Sequence, residues 1–249
     1  LKLATFSLLF LFFIGSAVPL AAAAQSNTLE WGVSPGDEFT YVFQRAYFES
    51  TSYIAVVRQD ISFISELPVG EKAIMNVSRL DAIPALINDS SQMPLAYCQL
   101  IRANDSMSIG TDLTGLVVPI GDWNFLTSIG NITAAGLQLI DTTGEWGYVV
   151  QGSFQASDGS TISAYFEVRY EKENGILNYL RHRYYTWAGD LIDVILVNWH
   201  AGMPTVIGAD IQPSTILIVV FGGVVGVIIA LIVYHRYRSR KPLIQRLGE

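Results

Sequence analysis

The sequence predicts a β-rich α+β fold: an antiparallel curved sheet or meander, closing at most to a half-barrel, with a few short helices and one transmembrane helix. Three observations predict it. Runs of six to twelve residues alternate apolar with polar, and they are rich in Tyr, Phe, Val and Ile, as half-buried strands are. Gly, Asn and Asp punctuate those runs at turn spacing. One stretch near the C-terminus, Thr215 to Tyr234, carries no charge over 20 residues; at 1.5 Å rise per residue it matches a hydrocarbon core of about 30 Å.

The elements follow in chain order. Residues 1–24 read as a secretory signal: Lys2 supplies a positive start, Leu8 to Ile14 a short apolar centre, and Ala22-Ala23-Ala24 a small-residue cleavage site. Residues 25–200 are expected to form the folded exterior domain, large enough for one core. In it, Asp37 to Phe48 alternates, with Phe39, Tyr41, Phe43 and Tyr47 expected on one face and Thr40, Gln44 and Ala46 on the other. Tyr53 to Ile64 and Lys72 to Leu80 are read as further strands. Trp123 to Ile129 is a short helix, with Asp122 as its cap and Gly130 as its stop. Gly144 to Gln155 supplies a strand, followed by Thr161 to Tyr170 with Ile162, Ala164, Phe166, Val168 and Tyr170 inward.

The turn after Tyr170 admits two registers. A two-residue Asn-Gly turn would set Phe166 and Val168 opposite Arg183 and Arg181; a three-residue Glu173-Asn174-Gly175 loop pairs Val168 with Leu180 and Glu167 with Arg181. A one-residue slip exchanges the faces of a strand, so the second register is the one expected. Trp187 to Asp190 then turns the chain into a last strand from Leu191 to Trp199. Residues 201–214 read as a tether, 215–234 as the membrane helix and 235–249 as a basic cytoplasmic tail.

Charge agrees with that order. Gln25 to Pro213 holds 21 acidic residues against 9 basic, a net of −12, whereas the tail holds five basic residues against Glu249. Basic residues flank membrane helices on the cytoplasmic side, so the acidic domain is expected outside the cell. An acidic surface also excludes nucleic acid as a partner. Four sequons, at Asn76, Asn88, Asn104 and Asn131, mark candidate glycosylation sites. Nine asparagines would yield about one sequon by chance, so the excess fits an exterior domain. In the membrane run, Gly222 and Gly226 form a small-residue pair suited to close helix approach, the candidate surface for a homodimer.

No catalytic, metal or cofactor motif stands out. A GxSxG elbow, an HExxH pair, a phosphate-binding loop and a CxxC are all missing from the sequence. His182 and His200 are read as too far apart along the meander to share a metal, and His182 as a core histidine beside Phe166. Cys98, the single cysteine, reads as a buried small hydrophobe. Tyr165, Tyr179, Tyr184, Tyr185 and Trp187 crowd adjacent strands and form either a core ladder or a binding floor for lipid or glycan.

Three segments carry a resemblance: Trp31 to Tyr41 (WGVSPGDEFTY), Pro119 to Phe125 (PIGDWNF) and Tyr170 to Leu177 (YEKENGIL). With the C-terminal apolar run, the chain resembles uncharacterised archaeal (Asgard-type) cell-surface proteins of the choice-of-anchor kind. The resemblance implies an anchored exterior β-rich domain and carries over no catalytic residue. The expected partners are the lipid bilayer together with an apolar ligand, a glycan or a surface protein; no cofactor is expected. The functional readings are a binding or structural module, an exterior carboxylate-dependent hydrolase, and a receptor-like subunit paired through its helix.

Overall fold

A computed structural model describes residues 25–26, 28–132, 137–156 and 159–208. The expected signal, the expected membrane run with Gly222 and Gly226, and the basic tail lie outside the described residues. Among the described residues no helix is long and apolar enough to cross a membrane.

Among the described residues nine strands form one open antiparallel sheet. In chain order the elements are β1 Gln25–Ser26, β2 Glu38–Phe48, α1 Ile54–Val57, β3 Lys72–Leu80, β4 Leu86–Ile87, β5 Ala96–Arg102, β6 Ser108–Leu113, α2 Trp123–Ile129, β7 Gln138–Asp141, β8 Glu145–Gln155, β9 Thr161–Glu171, β10 Leu177–Tyr185 and β11 Asp190–Asn198. Across the sheet the order is β6-β5-β3-β2-β11-β10-β9-β8-β7, while β1 pairs only with β4. Two meanders therefore meet where β2 pairs with β11, at the middle of the sheet. The sheet and the segments packed on it are one compact unit, to which the turn Trp187–Gly189 does not belong.

The core lies on one face. Tyr41, Phe43, Met75, Cys98, Leu100, Trp146, Tyr170, Val194 and Leu196 point inward. Three non-strand segments cover them: Leu29 and Val33 before β2; Val57, Ile61, Phe63, Ile64 and Leu67 after it; and Leu116 to Val118 with Phe125, Leu126 and Ile132 around α2. The helix forms where expected. The Asp122 side chain accepts from the Phe125 N–H at 2.9 Å, and Gly130 ends it. Trp146 is fully buried against Trp123 and Tyr170 and donates from Nε1 to Thr127 Oγ1 at 2.9 Å.

The β9–β10 register is the one that the alternation selects. Val168 stands opposite Leu180 and Glu167 opposite Arg181. Gly175 takes φ +77°, and a Cβ there would sit 2.0 Å from the Val118 carbonyl oxygen, so only glycine fits this turn.

Two expectations are corrected. Tyr53 to Ile64 is not a strand: Thr51–Tyr53 form a 3₁₀ turn and α1 follows. Its β-branched residues suggested a strand, but the buried positions Val57, Ile61 and Ile64 recur every three or four residues, a helical spacing. Tyr47 is also on the other face from Phe39, Tyr41 and Phe43. Phe43 pairs with Leu196 and Arg45 with Ile195, so Gln44 is an extra residue, a β-bulge. Beyond it the faces exchange: Ala46 and Phe48 pack on the core, and Tyr47 is exposed. The bulge is held from outside. Gln44 Nε2 donates to the Pro204 carbonyl at 2.6 Å, and the Ile207 N–H donates to the Gln44 carbonyl at 3.0 Å. From Ala201 to Ile207, inside the expected tether, the chain thus returns along β2.

Candidate functional site

His182 lies in β10 between Phe166 of β9 and Val194 of β11. Strand alternation turns all three inward. Its ring sits 4.1 Å from that of Phe166 and 5.2 Å from that of Tyr184. Together with Tyr148, Val168, Leu180 and Leu196 these side chains leave part of the inner face unfilled. The strap from Gln59 to Phe63 borders the gap on one side, and the exit of β6 from Asp112 to Leu116 on the other. The result is a cavity of about 470 Å³, inside the size range of small-molecule sites.

The strap runs this way because Val57, Ile61 and Ile64 anchor it to the core, leaving Asp60 exposed. At the β6 exit, Asp112 and Gly115 both adopt positive φ, 53° and 80°; Asp tolerates that region better than most residues. Asp60 and Asp112 are thus carboxylates at the rim, while the floor carries none. Deeper in, the Tyr170 hydroxyl donates to the Gly115 carbonyl at 2.8 Å and the Tyr41 hydroxyl to the Leu177 carbonyl at 2.6 Å. Burial pushes the Tyr148 hydroxyl up to about 12 and raises Tyr170 as well, so these phenols stay neutral.

His182 makes only weak polar contacts in this floor. It is only 2% exposed. Nδ1 lies 3.6 Å from Asp60 Oδ2, beyond hydrogen-bond distance. Nε2 has no hydrogen-bond partner among the described residues. A nearby carboxylate favours imidazolium and burial opposes it; burial wins here and lowers His182 to about 3. The imidazole is neutral at any physiological pH.

Other candidates are not gathered into a site. His200 lies beyond the end of β11, near Glu171 at 3.7 Å, six residues past the partner of His182. Among the described residues no group of three or more His, Cys, Asp or Glu could hold a metal ion. Cys98 is fully buried, and burial raises its thiol to about 12. Asn88, Asn104 and Asn131 are exposed and Asn76 is half-buried on β3. Of the five aromatics, Tyr184 joins the inner face, whereas Tyr165 and Tyr179 flank Glu167 and Arg169 on the outer one.

That outer face holds what the sequence reading missed. Asp193, with no exposed surface, accepts from Arg45 Nε at 2.7 Å and from Arg181 Nε and Nη2 at 2.9 and 3.0 Å. Arg183 binds Asp190 at 2.7 Å, and Glu167 receives Arg169 Nε and the Tyr165 hydroxyl, each at 2.6 Å. The signal was a lone acid in the apolar run Leu191-Ile-Asp-Val-Ile-Leu-Val197. These groups pair with one another, so the row serves the sheet rather than an external ligand.

No protein-family model matches this chain, and neither a curated protein nor a solved structure matches it.

Proposed function

We propose that this chain is a single-pass cell-surface protein whose exterior domain is a half-barrel binding module for an apolar ligand, a lipid or a lipid-bearing glycan. The cavity under the Gln59–Phe63 strap carries the reading. Its floor is built from Phe166, Val168, Leu180 and Leu196 with phenols that are neutral, and burial of an apolar ligand there contributes about 25 cal/mol per Å². The apolar floor favours binding; carboxylate-dependent hydrolysis needs two carboxylates facing one bond, and the two that border this cavity, Asp60 and Asp112, are exposed. The anchor rests on the uncharged run Thr215 to Tyr234, the basic residues after it and the apolar N-terminal run. The four sequons support the same sidedness.

The test is native mass spectrometry of the full chain purified from membranes. One apolar molecule per chain, released on unfolding, is the expected result. A chain that leaves the membrane under alkaline extraction, or that carries and takes up no apolar molecule, overturns the proposal.

A further inference from the structure

We infer that the turn between β10 and β11 is a foot by which the exterior domain rests on its own bilayer, with the indole of Trp187 in the headgroup layer. This rests on the membrane anchor of the reading above and is independent of the cavity. The first observation is exposure. Trp187 is 85% exposed, the most of any large hydrophobic side chain among the described residues. Tryptophan is highly buried on average. Its amphipathic ring is enriched where one side is apolar and the other wet, as at membrane–water interfaces. Tyr185, two residues earlier and half-buried, belongs to the same class. The nearest ionised groups, Arg183 and Asp190, bind each other at 2.7 Å.

The second observation is where the chain leaves the sheet. The Trp199 N–H donates to the Thr40 carbonyl at 2.6 Å, and the Ile207 N–H to the Gln44 carbonyl at 3.0 Å. Between these two points the segment advances along β2 toward Phe48. Antiparallel pairing sets Arg45 opposite Ile195 and Phe48 opposite Ile192. The chain thus heads for the end of the sheet at which β11 begins, beside the Trp187 turn. Ile195 to Asp190 is five residues, about 17 Å at strand rise. The turn lies just beyond, about 20 Å from the bulge at Gln44.

The length of the tether joins the two observations. Ile207 is held at the bulge, and the uncharged run begins eight residues later at Thr215. Eight residues span at most about 26–29 Å, whatever path they take. With β11 along the membrane normal, Trp187 then stands at most about 6–9 Å above the apolar boundary. The headgroup layer on each side of the hydrocarbon core is itself about 5–8 Å thick. Full extension puts the indole at the top of that layer, and any slack brings it inside.

The experiment uses the full chain reconstituted in phosphatidylcholine vesicles. The emission of Trp187 is read as the difference between wild type and Trp187→Phe, a change that so exposed a position should tolerate. The difference spectrum is expected to be blue-shifted, quenched by phosphatidylcholine brominated near the top of its acyl chains, and spared by iodide in the water. Iodide quenching without bromine quenching overturns the foot and leaves the anchor standing. So does quenching by neither, which places the ring against protein instead of lipid. Alkaline extraction of the same vesicles reads the anchor separately: a chain that is released overturns the anchor and the foot with it.

Discussion

Asn in place of Asp193 tests whether the outer ionic row stabilises the sheet. The substitution keeps the shape and removes the charge that binds Arg45 and Arg181. Taking one partner out of a buried pair costs about 3–5 kcal/mol, because the remaining charge stays desolvated. Both arginine side chains are 13% exposed, and Arg45 keeps Asp190 at 3.6 Å. Those two facts place the expected loss at the lower end, about 3 kcal/mol. For a folded unit of this size, 1 kcal/mol moves Tm by about 2–4 °C, so Asp193→Asn should lower it by about 6–12 °C. Thermal unfolding of the full chain followed by tryptophan fluorescence measures this, since Trp146 is buried. A companion variant replaces Arg45, Arg181 and Asp193 with Met, Leu and Leu. It should recover most of the loss, since well-packed apolar residues often match a buried ion pair. A drop below about 2 °C for Asp193→Asn, or a triple variant as unstable as the single one, would refute the reasoning.

The remaining predictions concern glycine packing, acid stability and thiol chemistry. Gly147→Ala places a Cβ 2.0 Å from the Val168 carbonyl oxygen, whereas Gly152, in the same strand, has open space; unfolding curves should show a loss of about 3 kcal/mol or more for the first and a small gain of about 0.4–1 kcal/mol for the second. His182 stays neutral in the folded protein to about pH 3, while in the unfolded chain it protonates below about pH 6.5. The unfolded state therefore binds more protons between those values, so stability falls as pH falls through that window, by at most about 1.4 kcal/mol per pH unit. The stability difference between wild type and His182→Leu, measured from pH 7 to 4, should shrink toward acid; a flat difference means that Asp60 and Tyr184, which face the ring, compensate its charge. Cys98 should resist a thiol-specific disulfide reagent at pH 8 until the protein unfolds; labelling at the rate of a free thiol in the native protein contradicts its burial.

Much of the second meander was legible because each local signal agreed with the tertiary one. Asn174-Gly175 marked the turn, and the pairing of Glu167 with Arg181 chose the register. Asp122 and Gly130 bounded the helix by side-chain capping and stop chemistry that need no partner elsewhere in the chain. The strap after β2 was misread because Ile54, Val56 and Val57 favour strands intrinsically, while the packing of Val57, Ile61 and Ile64 against the core decides otherwise. The bulge at Gln44 left no local trace, since the hydrogen bonds that hold it come from residues 160 positions away and more. The cavity was illegible for the same reason: its wall joins strands β8 to β11 with two connections that are far apart in sequence. Its histidine was placed correctly beside Phe166, but its approach to Asp60 depends on where the strap runs.

The meeting of β2 and β11 has a mechanical consequence. A load applied to the chain after Asn198 does not reach an edge strand, where ladder bonds open one at a time. It first meets the clasp between Gln44 and the Pro204–Ile207 segment. It then pulls along β11, which is bonded on one side to β2 and on the other to β10. Both ladders resist together, in shear. Loaded from that end, the sheet is stiffest along β11.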